Sequence, residues 1–170
     1  MKSEPTPDKS LASVCGLFCR ACGVYIATQE NSQAKLEAIA NMLGQTVDDT
    51  RCNGCRTDTR SGHCKTCAFI SCAKERSIDF CGQCTEYPCP ELKNFQSKAP
   101  HRNELWKSHA RINEVGWEKW YMEMNAYYAC SICHTMNGYY DIRCRRCGAT
   151  PSSKFVENNL QALRSARPQK

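Results

Sequence analysis

Apolar residues fall at helical spacing in four stretches, and the chain between them is polar, turn-rich and full of cysteine. Leu36, Ile39, Ala40 and Leu43 lie at i, i+3, i+4 and i+7, behind a helix-capping residue, Ser32, and ahead of a terminating glycine, Gly44. A polar helical stretch is predicted from about Asn103 to Val115, ending at Gly116. Beyond it Trp117, Trp120, Tyr121, Met124 and Tyr128 share one stripe, which makes 93–128 the expected aromatic core. Ser152 or Ser153 is placed to cap a last helix whose Val156, Leu160 and Leu163 form a narrow apolar stripe. Residues 1–10 read as a disordered tail, and Pro168 to Lys170 as a frayed end.

Fifteen of the 170 residues are cysteine. A chain this cysteine-rich, with three tryptophans, is expected to rely on cross-linked units rather than on one large apolar core. No apolar run approaches the roughly 18 residues needed to span a bilayer. Glu4, Pro5, Pro7 and Asp8 interrupt the place where a secretory leader would carry its apolar segment, so a cytoplasmic protein is expected. In that compartment thiols stay reduced, and paired CxxC motifs point to metal rather than to disulfides. The odd cysteine count also fits a closed disulfide framework badly.

The net charge of +6 would suggest an acidic partner, but it is unevenly placed. Residues 1–92 hold ten Lys and Arg against eleven Asp and Glu, whereas 93–170 hold thirteen against six. Each zinc bound by four thiolates carries a net charge of about −2, so metal loading would cancel much of the formal charge.

The clearest motif is the pair CSIC at 130–133 and CRRC at 144–147. Two tight turns each converge two thiolates, and the segment between them brings Cys130, Cys133, Cys144 and Cys147 onto one tetrahedral ion, the spacing of a zinc ribbon. Gly148 supplies permissive backbone after the second turn. Four protein thiolates leave no position for water, so this site is structural. A rubredoxin-like iron centre would use the same ligands.

The first half offers eleven more thiols. Cys64, Cys67 and Cys72 follow C-x2-C-x4-C, and Cys81, Cys84 and Cys89 repeat that spacing, which argues for two equivalent half-sites. With the knuckle Cys52 and Cys55, the leading Cys15, Cys19 and Cys22, and His63 as a twelfth ligand, three tetrahedral ions would be saturated. Spacing favours Cys52, Cys55, Cys64 and Cys67 on one ion, although cross-braced pairing is equally allowed. The whole chain would then carry three or four zinc ions. CGLFCRAC at 15–22 also has the C-x3-C-x2-C spacing that radical-SAM enzymes use, but the alternating strands and helices of their partial barrel are missing. A simpler iron–sulfur centre on the N-terminal cysteines is the alternative to zinc.

No nucleophile elbow, phosphate loop or dinucleotide fingerprint occurs, and the reading favours a protein that is not an enzyme. His101, His109 and His134 read as solvent-facing or capping residues, and Asp48 with Asp49 as a helix N-terminal pair. A reactive thiolate at Cys15 or Cys22 would suit redox work if those residues held no metal. Arg143, Arg145 and Arg146 beside Tyr139 and Tyr140 would suit phosphate binding and base stacking. The competing expectation is that the tyrosines pack on the Trp117 helix.

The motifs CGLFCRACGVYIAT at 15–28, CNGCR at 52–56 and HCKTCAFISCAKERSIDFCGQCTEYPCPEL at 63–92 together resemble the uncharacterised cysteine-rich family called domain of unknown function 3795. The resemblance covers about 80 residues, and longer members suggest that it reaches residue 150. It implies a compact zinc-binding cytoplasmic protein, supports the eleven first-half cysteines as metal-binding, and implies no substrate.

The expected fold is a small metal-stabilised α-rich (α+β) protein. A cysteine-rich metal-binding zinc-knuckle unit at 11–92 is followed by a helical aromatic segment at 93–128 packing on it, a zinc ribbon at 129–150 and a terminal helix and tail at 151–170. The expected role is a binding or scaffold module for a protein or nucleic-acid partner, with iron–sulfur or thiol redox work in an anaerobe as the alternative.

Overall fold

A computed structural model of the chain describes residues 6–166. It is mostly helical, with nine α-helices among those residues: α1 (Gly23–Gln29), α2 (Gln33–Leu43), α3 (Val47–Thr50), α4 (Gly62–Lys65), α5 (Ala68–Glu75), α6 (Pro90–Ser97), α7 (Leu105–Val115), α8 (Trp117–Tyr128) and α9 (Lys154–Ser165). The β part of the expectation is reduced, among the described residues, to two isolated bridges, Ala12 with Phe18 and Ala129 with Met136. Short cysteine turns leave no length of chain over which a ladder could form. No helix among the described residues is long and apolar enough to cross a membrane.

The helices form where the apolar periodicity places them. α2 buries Leu36 and Ala40 and ends on Gly44, whose φ of 65° is the left-handed cap that glycine adopts freely. Ser32 sits at its N-cap but makes no side-chain cap bond. In α3, Asp48 and Asp49 occupy the first turn, and the Asp49 N–H donates to the Thr46 hydroxyl. Ser153 caps α9 by accepting from the Val156 N–H. Gly116 separates α7 from α8, and Arg111 on α7 donates to both carboxylate oxygens of Glu123 on α8, at 2.9 and 2.6 Å.

The main core assembles around Phe18, which lies in the turn between Cys15 and Cys19. Its ring meets Trp120 at 5.8 Å, Tyr121 at 5.2 Å and Tyr128 at 5.7 Å, all from the predicted α8 stripe. Phe155 of α9, absent from the predicted stripe, closes the core 4.8 Å from Tyr128. Each such aromatic contributes about 2–3 kcal/mol through burial, and the ring pairs add about 1 kcal/mol each. The aromatic segment therefore lies against the first cysteine turn.

Residues 1–5 and 167–170 lie outside the described residues, and with them half of the expected tail and the expected frayed C-terminus. Where the tail was expected to continue, Asp8 caps a single turn over Lys9–Leu11, and Lys9 pairs with Asp79 at 2.8 Å.

Candidate metal centres

The two C-terminal knuckles share one backbone pattern. In the first, the Cys130 N–H donates to the Thr135 carbonyl at 2.9 Å, and the His134 N–H donates to the Cys130 carbonyl at 2.9 Å. In the second, Cys144 donates to Ala149 at 2.8 Å, and Gly148 donates to Cys144 at 3.0 Å. Gly148 (φ 75°) and His134 (φ 57°) fill the same left-handed position. His134 is therefore a turn residue, paying for a backbone conformation that glycine adopts without strain.

These turns bring the sulfurs of Cys130, Cys133, Cys144 and Cys147 within 4.8 Å of one another. Cys130 and Cys147 are 3.6 Å apart, and Cys133 and Cys144 are 3.5 Å apart. A tetrahedral ion with metal–sulfur bonds of about 2.3 Å separates its ligand sulfurs by slightly under 4 Å, so the donor set fits such an ion. The Thr135 hydroxyl lies 3.3 Å from the Cys133 sulfur, and with the Thr135 backbone N–H it holds the Cys133 thiol down, while hydrogen bonds with the neighbouring thiols push Cys147 up.

Buried Asn137 holds the knuckles together. Its amide donates to the Thr135 and Ser152 carbonyls and its oxygen accepts from the Arg145 N–H. The Arg145 side chain caps the Met136 carbonyl, pairs with Asp141 and reaches Glu30. Tyr139 is buried, its hydroxyl engaged with the Phe18 backbone, while Tyr140 bonds His101 at 2.6 Å. Arg145 and Tyr139 are therefore structural ties rather than surface groups for phosphate or base stacking.

The eleven first-half cysteines are distributed over the turns and short helices of residues 15–89. Cys19 opens a short turn, and Cys22, Cys67 and Cys89 stand at the N-caps of α1, α5 and α6. Cys15, Cys52 and Cys55 are buried. Cys64 lies on α4, Cys72 on α5, and Cys81 and Cys84 flank a short turn. Among the described residues, however, no group of three or more candidate ligand atoms besides Cys130, Cys133, Cys144 and Cys147 lies within 4.8 Å of one another. His63 is exposed on α4.

The sequence repeat is not a structural repeat. Cys72 lies within α5 and is exposed, whereas its counterpart Cys89 caps α6, because Pro90 starts a helix there. Cys72 and Cys84 both stand against Arg76, whose Nη1 is 3.5 Å from the Cys84 sulfur.

Burial pushes the Cys15, Cys19 and Cys22 thiols up, and raises Cys55 to about 11 and Cys64 and Cys81 to about 12. A reactive low-pKa thiolate at Cys15 or Cys22 is thus contradicted for the metal-free chain. These thiols ionise only with a compensating charge, which a soft cation supplies.

The sequence reading missed the role of His109. Expected to be solvent-facing or capping, it is fully buried on α7, and burial holds its imidazole down at about 4. The apolar neighbours Leu105 and Ile112 at helical spacing could have signalled this.

No curated protein and no solved structure matches the chain. The helical segment after residue 94 and the four cysteines at 130–147 lie outside the residues that a family model matches. Residues 11–94, which hold the leading triple and the eight cysteines that follow it, match the model of a family described as a protein of unknown function (DUF3795).

Proposed function

We propose that the protein is a zinc-binding protein whose metal sites are structural and whose metal-stabilised surface serves as a binding or scaffold module. The observation that carries this reading is the tetrathiolate of Cys130, Cys133, Cys144 and Cys147, with its sulfurs within 4.8 Å and all four positions taken by protein. A closed site of this kind stabilises a fold and leaves no place for substrate. The eleven first-half cysteines, with His63 beside them, supply the remaining ligands in this reading, for about three or four ions in all. Internal use of Tyr139 and Arg145 favours a protein partner over nucleic acid, and Ile132 stands 70% exposed at the tip of the first knuckle.

A second reading, an iron–sulfur centre in the first half, is favoured by the wider spacing of those thiols, since a polynuclear core holds its ligands further apart than a single ion does. Elemental analysis of the anaerobically purified chain and of Cys130→Ser tests the first reading. It predicts colourless protein and the loss of one zinc in the variant. Iron with acid-labile sulfide supports the second reading, and an unchanged metal content in the variant contradicts a ribbon site.

A further inference from the structure

The cysteine turns at Cys15 and Cys81, far apart in sequence, are clamped together from two sides. On one side the Cys81 N–H donates to the Val14 carbonyl at 2.9 Å. On the other, the His109 ring is wedged between Gly16 and Gly82, the residues that directly follow the two cysteines. A Cβ on Gly16 would come within 2.9 Å of Nε2, and one on Gly82 within 2.8 Å of the His109 Cβ. The Gly82 N–H donates to Nδ1 at 3.2 Å, which leaves the proton on Nε2. That fully buried nitrogen lies toward the Cys15 backbone, short of a hydrogen bond of ordinary geometry. Cys15 is buried in an apolar cluster with Leu92 and Leu105, and Cys81 and Cys89 both pack against that cluster.

We propose that Cys15, Cys81 and Cys89 ligate one and the same thiophilic metal centre, and that His109 is the positioning residue that holds the Cys15 and Cys81 turns in register. Cys67 supplies the fourth thiolate. It stands at the N-cap of α5, and Phe69, in the first turn of that helix, packs on the same cluster. On binding, each thiol releases its proton to solvent and its sulfur forms a bond to the cation, with no change of oxidation state. The pairing crosses the sequence order, joining the leading triple to both arms of the C-x2-C-x4-C repeat, and departs from the grouping of Cys52, Cys55, Cys64 and Cys67 that spacing favours. An imidazole that fixes ligand turns from behind is the outer support metal sites generally need.

This proposal rests on the reading that the first-half cysteines bind metal, and the test separates the two. Total zinc and iron are measured on the anaerobically purified full chain, then on Cys15→Ser, Cys81→Ser and the double variant. Wild-type protein holding only the ribbon ion would overturn the underlying reading. With first-half metal present, the double variant is expected to lose no more than either single variant. Additive losses would overturn the shared centre. Ribbon metal retained by each variant reports that it has folded.

Should the serine variants not fold, wild-type chain is stripped stepwise with a chelator, alkylated and mapped by mass spectrometry. Cys15 and Cys81 are expected to become reactive in the same step, and reaction of one while the other stays protected overturns the proposal. For His109, His109→Ala is expected to weaken chelator resistance of this centre by about 10–100-fold, with partial rescue by His109→Gln and no change at the ribbon. Equal resistance in His109→Ala and wild type would overturn the positioning role.

Discussion

The Tyr139 hydroxyl donates to the Phe18 carbonyl at 2.7 Å and accepts from the Phe18 N–H at 2.8 Å, so one side chain satisfies both backbone groups of a residue 121 positions away. The Tyr139 N–H also donates to the Ala21 carbonyl at 3.1 Å, and Arg20 reaches Asn125. The 130–147 cysteine segment, α8 and the leading cysteine turn are thereby tied together. Tyr139→Phe leaves the buried Phe18 N–H unpaired, while the Phe18 carbonyl keeps the Ala21 N–H at 3.1 Å, and is expected to cost about 1–3 kcal/mol in chemical denaturation of the metal-loaded protein. A cost below about 0.5 kcal/mol would mean that the two ends of the chain are not tied there.

The equivalence of the two knuckles makes opposite predictions for two neighbours of ligands. His134→Gly relieves a left-handed non-glycine residue and should be neutral or stabilising by up to about 1 kcal/mol. Gly148→Ala introduces the same strain and should destabilise by about 1 kcal/mol. Thermal denaturation of the two variants, each with its ribbon metal bound, compares them directly.

His101 carries a pH dependence of known sign. Burial first, and the Arg102 charge second, hold its pKa down from 6.5 to about 4, so the folded state favours the neutral ring. That contribution is fully present above pH 6.5 and is lost as pH falls toward 4, because the unfolded chain binds the proton more readily. It amounts to at most about 3 kcal/mol. Acid also displaces metal from thiolates, in wild type and variant alike. Wild-type stability should therefore fall more than that of His101→Gln between pH 7 and 4.5, and parallel curves would contradict the assignment.

What was legible in the sequence is what short-range chemistry dictates. Gly44 ends α2, the Trp117 to Tyr128 stripe faces the core, and two CxxC turns ten residues apart converge on one point. What was not legible depends on partners distant in the chain. Nothing local to Phe155 marks it as the far wall of the Phe18 core, and nothing in CRRC marks Arg145 as a tie to Glu30 and Met136. Cysteine spacing even misled where it was most regular. Cys72 and Cys89 hold equal places in the repeat, yet Pro90 starts a helix at one and the middle of α5 carries the other.

The central claim, that thiolate-bound metal organises both halves of this chain, is tested most directly by metal and acid-labile sulfide per chain in protein purified without oxygen. The account predicts about three or four metal equivalents, mostly zinc, with one lost on Cys130→Ser and the rest held by the first half. A chain with one equivalent or none, folded and with its first-half cysteines freely alkylated, would contradict it.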